Sequence, residues 1–425
     1  TFDKNIYDYH WYTGQYDYTT IQGGSSKSFV DDYLRKYKQH TNYNSINVYA
    51  TYNKDFGNHH FKVMAGFNQE SSYQETLDTY SYNQAVLDVP AMSSGTGTIK
   101  ATDSYSEYAI RGGFFRVNYN YLDKYLLEVN GRYDGSSKFP KSSRFGFFPS
   151  VSAGWQIAQE RFMNSTRHWL DGLKLRASYG VIGNQNINPY TFTPSMSVNN
   201  KATSWIIDDT YVTSISSLPA LVSQNFTWEK VGTINVGLDV NLFNNRLSGV
   251  FEWYQRNTNG MLAPGVQLPA VVGASAPYQN TADMRTRGWE LSLNWRDQIG
   301  KVGYRIGFNL SDYKSEIIKY DDNAATKLLS SYYPGQTLGE IWGYVVDGYY
   351  TVDDFVDTSS WQLKEGVTSI NGYNVRPGDV KFKNLRDDDT STNVITSGDN
   401  TFDNPGDRKV IGNTTPVTHM VSISE

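Results

Sequence analysis

The chain is built around one repeated pattern, apolar residues at every second position, sustained for about 9–12 residues at a time. Successive side chains of a strand point to opposite faces, so this pattern describes strands with one apolar and one polar face. Ile46, Val48, Ala50 and Tyr52 alternate with Asn47, Tyr49, Thr51 and Asn53. After a turn at 54–60, Phe61, Val63, Ala65 and Phe67 oppose Lys62, Met64, Gly66 and Asn68. Phe115, Val117, Tyr119 and Tyr121 turn at Leu122–Asp123 into Tyr125, Leu127, Val129 and Tyr133, with Glu128, Asn130, Arg132 and Asp134 on the other face. The same grammar runs through 145–157, 173–182, Ile234–Leu242, Leu247–Trp253, Trp289–Trp295 and Tyr304–Leu310. Ten strands are expected, with an eleventh beginning near Val417.

Half-buried soluble strands alternate too, and three further features point to a membrane instead. Soluble strands average ~5–6 residues, whereas ten residues at ~3.4 Å each and a tilt near 40° rise roughly 26 Å, close to the ~25 Å apolar band of an outer-membrane barrel. Short or moderate links near 54–60, 122–123, 158–171, 243–245 and 297–301 alternate with longer ones at 69–106, 135–144, 183–225, 257–286 and 314–415, as when every strand crosses one slab. Aromatics gather at strand ends, among them Tyr52 and Phe56, Phe145 and Phe147, Trp253 and Tyr254, Trp289 and Trp295. The chain has 33 Tyr, 20 Phe and 10 Trp, and only 19% charged residues, below the ~25% usual for soluble domains. The expected fold is all-β, a transmembrane antiparallel β-barrel with long extracellular loops, in the bacterial outer membrane.

Other classes fall away. No apolar run approaches the ~18–20 residues a membrane helix needs, and mean hydropathy is −0.55. A net charge of −5 gives no case for nucleic acid as a partner. The chain has no cysteine, which removes disulfides, thiolate zinc sites and cysteine nucleophiles. The start, TFDKNIYDYH, has no basic or apolar run and no initiating Met, so it is not a signal peptide and the expectation is a processed, truncated or partial chain. Mid-strand charges at Glu128, Arg132, Arg176, Asp239, Glu252, Glu290 and Arg305 meet either bulk water or a polar lumen, and the pattern does not choose for any one of them.

Longer stretches resemble SusC/RagA-type TonB-dependent outer-membrane transporters of the Bacteroidota. They are Gly131–Met163 (GRYDGSSKFPKSSRFGFFPSVSAGWQIAQERFM), Leu173–Ile187, Phe226–Thr258, Arg285–Trp295 (RTRGWELSLNW), Gly335–Tyr344 (GQTLGEIWGY), Pro377–Leu385 and Asp407–Asn413, in family order. The resemblance implies a ~22-stranded barrel with a plugged lumen, a SusD-like surface lipoprotein that captures glycans or peptides, and TonB acting on the plug. On it, 1–425 is a barrel segment of ten to eleven strands with 314–415 as a long extracellular loop. The N-terminal plug and last barrel strands are expected outside this chain. The implied function is TonB-dependent import of oligosaccharides or peptides, in contact with outer-membrane lipid and lipopolysaccharide. The rivals are a passive porin and a surface β-rich glycan- or protein-binding protein.

Glu128, Arg132, Arg176 and Glu252 are the lumen-facing candidates for substrate contact. Glu128 and Arg132 lie four residues apart on one strand face, about 13–14 Å. Lumen charges in a plugged barrel need partners to offset desolvation, so pairing is the first expectation for all four. In the acidic loop Lys383–Gly412, Asp387, Asp388 and Asp389 are consecutive, Arg386 intrudes and the turn glycine is missing. Calcium needs oxygens at alternate positions, so a solvated structural loop is expected there, although Asp399, Asp403 and Asp407 offer another arrangement. His59–His60 has no third ligand nearby. No GxSxG or HExxH occurs; neither an enzyme nor a cofactor is expected. Trp205, Tyr211, Trp342, Tyr344, Tyr349, Tyr350 and Trp361 suit stacking on sugars or packing against a lid, and self-packing of long loops is the favoured reading.

Overall fold

The computed structural model describes residues 33–85, 90–195, 198–199, 206–207, 210–211, 215–216, 221–223, 226–385, 393–414 and 418–424. Eleven strands form one sheet: β1 (Tyr33–Phe56), β2 (His59–Tyr82), β3 (Ile99–Tyr121), β4 (Tyr125–Ser136), β5 (Phe145–Gln156), β6 (Leu170–Asn184), β7 (Glu229–Leu242), β8 (Leu247–Pro264), β9 (Tyr278–Ile299), β10 (Val302–Tyr320) and β11 (Thr418–Ser424). Each pairs antiparallel with its neighbours in sequence, so the sheet is an up-and-down meander. Among the described residues it is open, with β1 and β11 at its edges.

Several strands outrun the expected 9–12 residues: β1 and β2 have 24 each, β3 has 23 and β9 has 22. The reason is local. Beyond the apolar band both faces of β2 turn polar (Gln69, Glu70, Ser71, Ser72), so alternation stops while the hydrogen-bonded ladder continues to Tyr82. The link expected at 69–106 is therefore only 83–98, that at 257–286 only 265–277, and the long loop starts at 321 rather than 314. The last strand is paired from Thr418 onward, and Val417 lies outside the described residues. Four short links and one moderate link, 157–169, close one end of the sheet. In the β3–β4 turn Leu122 and Asp123 both take left-handed φ, 56° and 55°, the geometry that matches the twist of the flanking strands.

Register carries the two faces across the whole sheet. On one face Tyr125, Trp155, Leu175, Leu238, Phe251, Leu291 and Leu310 are consecutive cross-strand partners. Among the described residues no second layer covers this face: Leu175 is 39% exposed, Val151 and Val236 are 40% and Phe251 is 44%. A soluble sandwich buries such a face against another sheet, whereas a barrel offers it to lipid.

Among the described residues the packed cores lie at the long-link end. One joins Phe139, Phe148, Phe226 and Trp228, and the other joins Tyr350, Phe355 and Val375 with Trp361, Leu363, Val367 and Ile370 against them. The second core organises the excursion between β10 and β11. Glu340–Tyr344 pairs with Arg408–Asn413 as a stalk, and Val346–Tyr349 pairs with Val380–Phe382 beyond it. Its acids are tied locally. The Thr351 N–H, with Lys381 beside it, holds the Asp354 carboxyl below the usual range, and the Ser359 and Ser360 hydroxyls and N–H groups do the same for Asp357. Carboxylates depressed in the folded state contribute stability above the ordinary carboxylate range and lose it as pH falls through their own lowered values. Protection of the amides in 346–382, relative to their intrinsic exchange rate at each pH, is thus expected to fall between about pH 4 and pH 2, ahead of the sheet, when followed by mass spectrometry. Uniform protection of loop and sheet down to pH 2 would contradict it.

Candidate functional site

The other face of the sheet carries the polar residues in equally regular rows. Lys62, Asn118, Glu128, Ser152, Ser178 and Asn235 are consecutive cross-strand partners. One row over run Gly154, Arg176, Gly237, Glu252 and Glu290. Small residues in these rows make room for the long ones: a Cβ at Gly237 would lie 2.7 Å from the guanidinium carbon of Arg176.

Each of the four candidates has a protein partner. Arg176 Nε donates to Asp239 at 3.1 Å and its terminal nitrogen donates to Glu252. Glu252 also accepts from Asn235 at 3.3 Å. Glu128 accepts from Asn118, and from Asn130 at 2.7 Å, with Arg116 at 3.9 Å. Arg132 makes two 3.0 Å bonds to Asp134, and its guanidinium sits 5.4 Å from the Phe114 ring centre. Glu290 stands directly opposite Glu252 in the ladder.

Two hollows lie against this face. One of about 670 Å³ is lined by Asn53, Lys62, Asn118, Glu128, Lys174 and Arg176. The other, about 690 Å³, is lined by Glu70, Glu128, Arg132, Asp134, Phe148 and Gln185. Glu128, Ser152 and Ser178 border both, so the two run together. The sheet thus gathers Glu128, Arg132 and Arg176 along one trough, and Glu252 is joined to it through Arg176. Amides, hydroxyls and mutually neutralised charges suit the passage of polar solutes.

The other expected positions sort by packing. Asp387, Asp388 and Asp389 lie outside the described residues. Asp407 is 2% exposed and accepts from the N–H groups of Leu385 and Thr396 at 2.9 and 2.8 Å, so it ties the loop together. No group of three His, Asp or Glu converges as a metal set among the described residues. His60 bonds Asp55 at 2.7 Å and His59 bonds the Tyr119 hydroxyl at 2.9 Å, both across strands. Tyr350 is buried, Trp361 stacks edge-on to Phe355 at 5.5 Å and Trp342 donates to Glu340 at 2.8 Å. Tyr349 remains exposed, and Trp205 and the side chain of Tyr211 lie outside the described residues. One residue was not among the expected positions. Glu160, in the β5–β6 link, accepts from Tyr125 at 2.7 Å, Trp155 at 3.2 Å and Lys124 at 3.3 Å, pinning the link to the aromatic rim.

Residues 2–406 match the family model described as TonB dependent receptor-like, beta-barrel. The chain belongs to this family. TonB-dependent receptor P3 of Formosa agariphila is 29% identical over 423 residues, covering 95% of this chain and 39% of that protein. TonB-dependent receptor SusC of Bacteroides thetaiotaomicron is 32% identical over 283 residues, 65% of this chain and 27% of SusC. The chain therefore spans about two fifths or less of the length of these curated relatives. The RagAB peptide importer in its closed-closed state superposes with a TM-score of 0.65 at 22% identity, over 85% of this chain and 38% of that one, which fixes the fold. This TonB-dependent receptor-like barrel is accordingly an outer-membrane protein. Its uncovered apolar rows are of the kind such a barrel offers to lipid, and the trough lies on the opposite face of the sheet.

Proposed function

We propose that the protein forms part of a TonB-dependent importer of oligosaccharides or peptides, working with a SusD-like surface lipoprotein. The observation that carries this is the family match across residues 2–406. The likeness to SusC, and to structures whose descriptions name a peptide transporter, supports it. In this reading residues 1–425 are a stretch of barrel wall, and the plug through which TonB acts belongs to sequence beyond them. The trough bordered by Glu128, Arg132, Arg176 and Glu252 lines the substrate path. The excursion between β10 and β11 stands on the outer side, where the lipoprotein docks. Outer-membrane lipid and lipopolysaccharide surround the wall.

The test is uptake of labelled oligosaccharide and peptide pools by cells carrying the protein in their own outer membrane. Uptake is expected to fall to background on deletion of TonB or addition of a protonophore. Undiminished uptake under both treatments would make the protein a passive pore and end this reading.

A further inference from the structure

We propose that Arg287 and Lys314, on the outward face of β9 and β10, hold the phosphate of a phosphorylated glycolipid of the surrounding outer leaflet. The inference rests on outer-membrane placement alone and stands apart from the import reading.

Height comes first. Arg287 shares its strand face with Trp289, Leu291, Leu293 and Trp295. Trp295 donates to the Tyr304 hydroxyl at 3.3 Å beside the β9–β10 turn, which sets the inner rim. Arg287 lies eight residues further along, or roughly 21 Å along the membrane normal at ~3.4 Å per residue and a ~40° tilt, and Arg285 lies near 26 Å. An apolar band of ~25 Å therefore ends at these two residues. They sit on the long-link side, the extracellular side of such barrels.

Charge comes second. Arg287 and Lys314 are directly opposed in the β9–β10 ladder, and like charges in that position repel and destabilise a sheet. Both side chains belong to exposed residues. Arg287 donates through Nε to Gln255 Oε1 at 2.8 Å, which orients the guanidinium and leaves its terminal donors open. Lys314 makes no side-chain hydrogen bond or ion pair among the described residues. The charged neighbours on this face are Arg285, whose Nε donates to Asn257 at 3.2 Å, and the carboxylates Glu316 and Asp312. Arg285 opposes Glu316 in the ladder, and Asp312 opposes Trp289. That leaves two cations against one carboxylate at the lipid boundary, with neither cation ion-paired to it. A phosphate carries −1.5 to −2 near neutral pH and has three acceptor oxygens, as a typical phosphomonoester. Seated between Arg287 and Lys314 it replaces their repulsion with charge-assisted bonds.

The occupant is an amphiphile because of what lies one and two rungs further in. Trp289 stacks on Phe251 at 6.5 Å, with Trp253 and Leu291 beside them, an apolar strip that receives acyl chains. A soluble anion gains nothing from that strip.

The test uses the full-length protein, extracted in mild detergent from its own outer membrane. Native mass spectrometry reads the phosphorylated glycolipid that remains bound. The variant carrying Arg287→Gln and Lys314→Gln is expected to retain at least fivefold less than wild type. Arg246→Gln, at the inner rim where Arg246 pairs with Asp297 at 3.3 Å, is expected to retain the wild-type amount. In a second arm the delipidated protein is titrated with the glycolipid, its dephosphorylated form or inorganic phosphate, and Tm is followed. Only the phosphorylated glycolipid should raise Tm, and only with both cations present. The delipidated double variant should melt no lower than wild type, since its substitutions remove a repulsion. Lys314→Gln alone serves if the double variant fails to assemble, with the same direction expected. Unchanged retention, equal stabilisation by the dephosphorylated lipid, or the full shift from inorganic phosphate alone (an adventitious ion only) would each overturn the proposal.

Discussion

The double substitution Val236→Arg, Leu291→Arg is expected to keep the protein from assembling in the outer membrane, while Asn235→Arg assembles normally. Val236 lies between Ala177 and Trp253, and Leu291 between Phe251 and Leu310, all within the uncovered apolar rows. An arginine on a barrel exterior costs about 2–4 kcal/mol at mid-bilayer. Two such charges approach the ~5–15 kcal/mol of net stability typical of a folded protein. Asn235 is one residue away, so its side chain points to the trough, where it bonds Glu252 at 3.3 Å, and an added cation meets a carboxylate there. Heat-modifiable gel mobility of the membrane fraction reads assembly. Normal assembly of the double variant with loss of Asn235→Arg would mean the two faces had been assigned in reverse.

That experiment probes the part of the structure the sequence expresses most directly. Alternation around Val236 and Leu291 exists because one face meets hydrocarbon, so lipid writes the pattern into the chain. Where lipid ends, the writing ends too. The outer half of β2, Gln69–Tyr82, pairs with both neighbours yet has no apolar period. Arg35, which locks that region by two 2.8 Å bonds to Asp78, finds its partner 43 residues away. The trough behaves in the same way. Period two places Arg176, Asp239 and Glu252 on the polar face, but their meeting depends on strands 63 and 76 residues apart in sequence coming into register. Glu160 is a sharper case: its three donors come from two strands and the turn before them, and nothing around it in sequence separates it from any surface glutamate. The core of the excursion was equally hidden. Tyr350 and Tyr349 are neighbours of the same type, and only tertiary packing leaves one at 2% exposure and the other at 67%.

Tyr350→Ala should open that excursion and leave the sheet intact. The ring fills a core of three buried residues and contacts Phe355 at 6.3 Å, and the hydroxyl donates to the Thr368 carbonyl. Deleting a buried aromatic costs about 3–5 kcal/mol, and a carbonyl left without its donor adds about 1–3 kcal/mol. A unit of this size with so small a core has little stability to lose. The ladders of β1–β10 share no residue with it, so the loss stays local. Limited proteolysis of the membrane-embedded protein is expected to cut within 346–382 in Tyr350→Ala and not in wild type, while heat-modifiable mobility is unchanged. Tyr350→Phe keeps the ring and gives up only the hydrogen bond, so its cleavage should be slight. Equal cleavage of both variants would place the stability in the hydroxyl rather than in the packed ring. Loss of the gel shift in Tyr350→Ala would mean that the excursion and the sheet fold as one unit. Under the proposed function the same variant is also the one to lose a docked lipoprotein, because it removes the shape of the outer surface and spares the wall that crosses the membrane.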